Sequence, residues 1–101
     1  MSNSTYPSPA PLITPNVSNS SVQVASANLT RASLFVFNPS ATVTIWVMPI
    51  GTTAVVGNGI AIQPQQWVVF GPPNSPSWTA GMNAIASSAG SNVIVILEFY
   101  Y

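Results

Sequence analysis

Apolar and polar residues alternate along most of the chain after residue 20, with the period of two that is typical of β-strands. The clearest example is the stretch from Arg31 to Met48, in which two apolar runs are joined by Asn-Pro-Ser at positions 38–40. Its β-branched and aromatic residues favour a pleated, half-buried surface, and an Asn-Pro pair favours a turn. The stretch therefore predicts a β-hairpin with strands over residues 31–37 and 42–48.

The same alternation predicts further short strands, separated by segments rich in Gly, Pro and Asn. With the hairpin, the predicted strands cover residues 21–24, 31–37, 42–48, 53–56, 60–63, 67–70, 82–87 and 93–101. The predicted turns and loops lie at residues 49–51, 57–59, 64–65, 71–81 and 89–92. Both faces of the last strand are apolar apart from Glu98, which predicts burial on both faces. Seven to eight short strands predict an all-β fold, an antiparallel β-sandwich or a small barrel, with the strand order left open.

The first 20 residues have a different composition, rich in Ser, Asn, Thr and Pro. Four prolines exclude a helix and favour an extended chain. We therefore divide the chain into an extended arm at residues 1–20 and a β-sandwich domain at residues 21–101. The arm is either a disordered tail or a segment that orders against a partner subunit. In the second case its apolar residues, Tyr6, Leu12 and Ile13, are candidate interface residues.

Charge excludes several classes of function. Only 2% of the residues are charged, against about a quarter in an average soluble domain. One Arg is too few for a nucleic-acid binder, which needs several basic residues to neutralise phosphates. Without His or Cys and with one carboxylate, the chain predicts no zinc site, no calcium site and no cofactor. The apolar run that ends at Leu97 is far shorter than the roughly 20 residues of a spanning helix, which predicts no membrane partner.

The two charged residues, Arg31 and Glu98, lie near the ends of two predicted strands. If these strands pair antiparallel with Arg31 opposite Glu98, then Phe35 lies opposite Ile94, on the same face. A cross-strand ion pair would help to fix that register. The alternative is that each charge meets a neighbouring subunit. Either role is structural.

Catalysis is not expected. The chain has many Ser and Thr residues, but it has no His or Lys to activate one as a nucleophile. Glu98 has no second carboxylate for glycoside hydrolysis. Among the tryptophans, Trp46 and Trp67 fall in predicted strands and are expected in the core. Trp78 falls in the Pro-rich loop, where it either folds back over a sheet edge or anchors an interface.

Several stretches of the chain resemble small virion proteins of tailed bacteriophages. They are RASLFVFNPSATVTIWVMPIGTTAVV at residues 31–56, Gly59-Ile60, QWVVF at 66–70, the stretch 78–87 that ends in NAIAS, and the final VIVILEFYY. Together they cover about two thirds of the chain. The resemblance implies a β-sandwich assembled on a phage particle as a capsid decoration (cement) protein, a head fibre or a tail-associated protein. It implies no active site.

The resemblance also implies partners and a location. The partners are further copies of the chain, with a trimer expected, and the major capsid protein or other virion proteins. The location is the particle surface or the head–tail region, after synthesis in the bacterial cytoplasm. A net charge near zero favours association on physical grounds. The alternative function is a carbohydrate- or receptor-binding β-sandwich module, such as part of an adhesin, which predicts a monomer with exposed aromatic residues in a row.

Overall fold

The computed structural model describes residues 8–9, 11–49, 52–71, 79–90 and 92–100. Ten strands and no helix are assigned in these ranges, which confirms the all-β prediction. The strands are β1 Ser8–Pro9, β2 Asn16–Val17, β3 Val22–Ala25, β4 Arg31–Phe37, β5 Ile45–Pro49, β6 Ile60–Ile62, β7 Trp67–Phe70, β8 Met82–Ala86, β9 Asn92–Val93 and β10 Val95–Tyr100.

The strands form three antiparallel sheets. The first sheet has the order β1-β10-β4-β7, the second has the order β3-β8-β5-β6, and β2 pairs with β9 in a small third sheet. Buried residues of the two four-stranded sheets form one apolar cluster, and most of them are less than 5% exposed. Leu34, Val36 and Ile96 come from the first sheet, and Ile45 and Val47 come from the second. The fold is therefore a small β-sandwich.

The predicted hairpin at Arg31–Met48 is wrong, although the first of its strands has the predicted bounds. Strand β4 pairs with β10 and β7, whereas β5 pairs with β6 and β8, so the chain crosses from one sheet to the other. The crossing is fixed by Asn38, which is fully buried. Its Nδ2 donates to the carbonyl oxygens of Val43 at 2.7 Å and Ile62 at 2.9 Å. An amide in the interior thus replaces the predicted tight turn.

The segment after β5 also differs from prediction. Residues 53–56 form no strand, because Ala54 turns inward and its N–H donates to Ser21 Oγ, while Val55 and Val56 are exposed. Pro49 is the last residue of β5, and the other residues of the predicted turn, 50–51, lie outside the described residues. The predicted turn at 57–59 is confirmed by positive φ angles of 84° and 94° at its two glycines.

The described part of the arm pairs with the end of its own chain. Strand β1 lies antiparallel to β10, Ile13 bridges Ile96, and β2 pairs with β9. Val17 is fully buried and belongs to the core cluster. In the described residues the arm therefore packs on its own chain and forms one edge of the first sheet.

Candidate functional site

The first sheet has a second apolar face, directed away from the core. Along β4, Leu34 and Val36 are buried and the residues between them are only partly buried. The register places Phe35 between Leu97 and Val69, and Phe37 between Val95 and Trp67. Side chains of paired residues lie on the same face. We call this surface the outer face, and its residues are Phe35, Phe37, Trp67, Val69, Val95, Leu97 and Phe99.

Aromatic rings dominate the outer face. The ring of Phe35 lies 6.0 Å from Trp67 and 5.2 Å from Phe99 between centroids, and Phe37 lies 5.9 Å from Trp67. All three pairs are tilted or edge-to-face, the geometry that ring quadrupoles favour. These contacts cover each ring in part, and Leu12 of the arm borders the same surface.

Trp67 is the most exposed residue of this face, at 60%. Its predicted place in the core is therefore wrong. The reason is that β7 is the edge strand of the first sheet, and its register directs Trp67 outward beside Phe37. Trp46 is half-buried, opposite Ala61 and Ile85 on the outward side of the second sheet.

A hollow of about 470 Å³ opens on the outer face next to Trp67. Its lining residues are Leu12, Phe35, Phe37, Trp67, Val95 and Leu97. Apart from the Trp67 indole N–H, none of these side chains carries a hydrogen-bonding group. A ligand with many hydroxyl groups would lose its bonds to water here and gain few in return, which costs free energy. The hollow therefore suits an apolar side chain.

The two charges form an ion pair, as expected: Arg31 Nε donates to Glu98 Oε2 at 2.5 Å. The predicted register is nevertheless wrong, because Glu98 lies opposite Leu34, and Arg31 lies opposite Tyr100. The register shifts at Ala32, so that Arg31 and Ala32 are both buried. Such an irregularity turns a side chain to the other face. As a result the Arg31 side chain lies on the inner side of the first sheet, which faces the core and also carries Glu98, and not on the outer face.

The guanidinium also donates to two carbonyl oxygens, with Nη1 at 2.8 Å from Ala80 O and Nη2 at 2.6 Å from Ser26 O. Arg31 is 2% exposed, so these bonds are shielded from water. A second cavity, of about 450 Å³, lies beside the pair and is lined in part by Ile13 and Asn28. Because the guanidinium donates to acceptors of the protein, the ion pair has a structural role. It joins β4 to β10 and to the two connecting segments that contain Ser26 and Ala80.

The predicted interface residues separate in the structure. Leu12 is 57% exposed and borders the hollow of the outer face. Ile13 is 47% exposed and borders the cavity beside the ion pair. Tyr6 and Trp78 lie outside the described residues.

Sequence reasoning missed the phenylalanines of the outer face. A signal is present in β10, which is apolar at both odd and even positions apart from Glu98. That pattern predicts burial on both faces, but only the side with Ile96 is buried, and Val95 and Leu97 are partly exposed.

Among the described residues, no group of three or more metal-ligating side chains is found, and no helix is long and apolar enough to cross a membrane. A comparison of the chain with protein-family models found no match, and neither did comparisons with curated proteins and with solved structures. The case for a function therefore depends on the chemistry of the outer face, the ion pair and the resemblance in sequence.

Proposed function

We propose that this protein is a non-enzymatic structural component of a bacteriophage virion, a capsid decoration (cement) or head-fibre protein that assembles as a homo-oligomer on the particle. The observation that carries the proposal is the outer face, an aromatic surface that Leu12 borders and that the other described residues of the chain leave partly exposed. Large exposed apolar patches on a small protein are typical of sites of protein association.

The small number and the pairing of the charged side chains support the same proposal. The chain has two charged side chains, and they neutralise each other in the ion pair. The outer face therefore offers no charged side chain to steer or repel a partner. Obligate interfaces are the more apolar class, and a net charge near zero favours association. A closed ring, for which we propose three copies, buries such faces without open-ended growth.

The assignment to a phage particle comes from the resemblance of the sequence to small virion proteins of tailed phages. A compact β-sandwich without a metal cluster in the described residues suits a part that binds a shell and performs no reaction. In this proposal the further partners are the major capsid protein or other virion proteins. The protein is then located on the particle surface or at the head–tail region.

A carbohydrate- or receptor-binding module is the second candidate, and one observation favours it. Trp67 stands exposed beside the ring of Phe37, as expected for an aromatic platform. Against it, the hollow next to Trp67 lacks the acceptors and donors that fix a sugar. We therefore place it second.

Two measurements test the proposal. The first is immunogold labelling of particles released from a culture that carries the gene: regular labelling of heads or tails supports a virion component, and unlabelled particles contradict it. The second is the mass of the purified protein in solution by light scattering. A discrete oligomer supports homo-oligomeric assembly. A monomer that binds a glycan or a receptor would favour the second candidate.

A further inference from the structure

The outer face displays both a protruding side chain and a hollow. We propose that the protruding side chain of one copy of the chain fits into the hollow of a second copy. In this arrangement Trp67 of one copy packs into the neighbour's hollow, against Leu97 and Val95. The inference rests on the proposed homo-oligomer and adds the surface and the anchor residue.

The first sheet carries both partners of the proposed contact. Trp67 projects from the edge strand β7, while the floor of the hollow is formed by β4 and β10 of the same sheet. In a closed ring of identical copies, each copy gives its protrusion to one neighbour and receives the protrusion of the other neighbour in its hollow. Because every copy carries both features, the same contact repeats around the ring.

The chemistry of the hollow suits an aromatic side chain. The hollow is lined by aliphatic, phenyl and indole groups, and Trp is among the residues most enriched at the energetic centres of interfaces. An acidic or basic partner would find no opposite charge on this face, because the two charged side chains are paired with each other. A second copy meets no like charge, so no repulsion opposes the contact.

The outer face is smaller than a standard protein–protein interface. The three strands that carry the outer face span about 14 Å across and about 23 Å along β4, a flat footprint of roughly 330 Å² per copy. A standard stable interface buries about 800 Å² per partner. The face alone therefore holds copies together weakly in solution. Attachment of copies side by side to a particle would raise their effective concentration and strengthen the same contact.

The experiment is sedimentation velocity with light scattering over protein concentrations from about 1 μM to about 1 mM, a span that covers weak association. The variants are Trp67→Gln, which removes the protrusion, and Leu97→Gln, which makes the hollow polar. The control is Leu29→Gln, which changes an apolar residue that is 89% exposed and lies outside both the outer face and the apolar core. Circular dichroism and thermal unfolding establish that each variant is folded.

The expected result is a concentration-dependent oligomer of the natural chain. We expect its dissociation constant to rise at least about thirtyfold in Trp67→Gln, as for a hot-spot residue. Leu97→Gln should weaken association in the same direction, and Leu29→Gln should leave it unchanged. If Trp67→Gln does not fold, the comparison of Leu97→Gln with Leu29→Gln decides the matter.

Two results would overturn the inference. One is an oligomer that all three variants preserve, which would place the interface elsewhere. The other is a natural chain that stays monomeric over the whole range. Neither result bears on the virion assignment, which the labelling of particles tests separately. Unlabelled particles together with a Trp67-dependent oligomer would refute the virion assignment and leave the inferred contact intact.

Discussion

The two faces of the first sheet are built from the same strands, yet only one of them is covered. On the inner face, Leu34, Val36 and Ile96 are at most 2% exposed, because the second sheet packs over them. On the outer face, Phe35 and Leu97 are partly buried by their neighbours, and Trp67 is largely exposed. Apolar residues on a strand thus do not by themselves show that the strand lies in a core.

The polar groups are distributed in the opposite way. The inner side contains the Arg31–Glu98 ion pair, and the buried Asn38 lies at the end of β4. Both are hydrogen-bonded to carbonyl or carboxylate oxygens. The outer face carries rings without polar partners. The sandwich therefore places its charged pair on the inner side of the first sheet, with Arg31 buried and Glu98 partly exposed, and its outer face is uncharged.

The largest expected effect is the loss of the buried charge on the inner side. Arg31→Ala leaves Glu98 without its partner and removes donors from two carbonyl oxygens. We expect the free energy of unfolding to fall by about 3 kcal/mol, at the lower end for a broken buried pair because the Glu98 side chain is 22% exposed. Urea denaturation measures it. Glu98→Gln keeps an acceptor oxygen but leaves the buried Arg31 guanidinium without a counter-charge, so it should also lower the free energy of unfolding. An unchanged free energy of unfolding in Glu98→Gln would contradict a role for the charge.

A matched pair on β4 tests the contrast between the faces directly. Leu34→Ala opens a cavity in the core and should destabilise the fold by about 3 kcal/mol. Phe35→Ala, one residue along, loses two ring contacts on the half-covered face and should cost about 1–2 kcal/mol. Measurements are made by denaturation at a concentration where the protein is monomeric. Equal losses would mean that the outer face is as fully covered as the core.

The segment after β4 leads from the first sheet to the second, and its path determines which side of β4 faces the core. Asn38→Ala leaves the carbonyl oxygens of Val43 and Ile62 without a donor in the interior. The expected loss of stability is about 2 kcal/mol, since each unsatisfied buried group is costly. Asn58→Ala, at an exposed turn, is the control and should cost less than about 0.5 kcal/mol. Similar midpoints of thermal unfolding for the two variants would refute the role given to Asn38.

The smallest expected effect is that of shortening the arm. Deletion of residues 1–12 removes Leu12 from the rim of the hollow but leaves Val17 in the core. We expect the fold to be retained with a loss of stability below about 1 kcal/mol, because in the described part of residues 1–12 the strand that pairs with β10 is only two residues long. Deletion of residues 1–20 also removes Val17 and should cost clearly more. If both deletions behave alike, the core does not depend on Val17.

Prediction from sequence succeeded where a strand is recognised from its own residues. The bounds of β4 and β7 agree with the predicted ranges, and β8 differs by one residue, because alternation and flanking turn residues mark a strand locally. The ion pair was also expected, since the chain has one cation and one carboxylate side chain at the ends of two strands.

Prediction failed where the neighbour of a strand had to be known. The hairpin was wrong because Asn38 satisfies carbonyl groups inside the sandwich, a role that the letters Asn-Pro do not distinguish from a turn. The predicted register of β4 and β10 is wrong by three residues from Val95 to Phe99, and the shift at Ala32 changes the error by one residue at Tyr100. A shift of one residue in a strand transfers a side chain to the other face, so an error in register also changes which face is assigned to the core.

The sequence by itself determined that the chain forms short strands and that both faces of the last strand are apolar apart from Glu98. It could do so because these properties depend on the spacing of residues along one strand. Only the tertiary structure decided that the second sheet covers Leu34 and that the rings beside Phe35 remain at the surface. The physical reason is that burial depends on which strands pack against each other, and that packing is fixed by contacts between residues far apart in the chain.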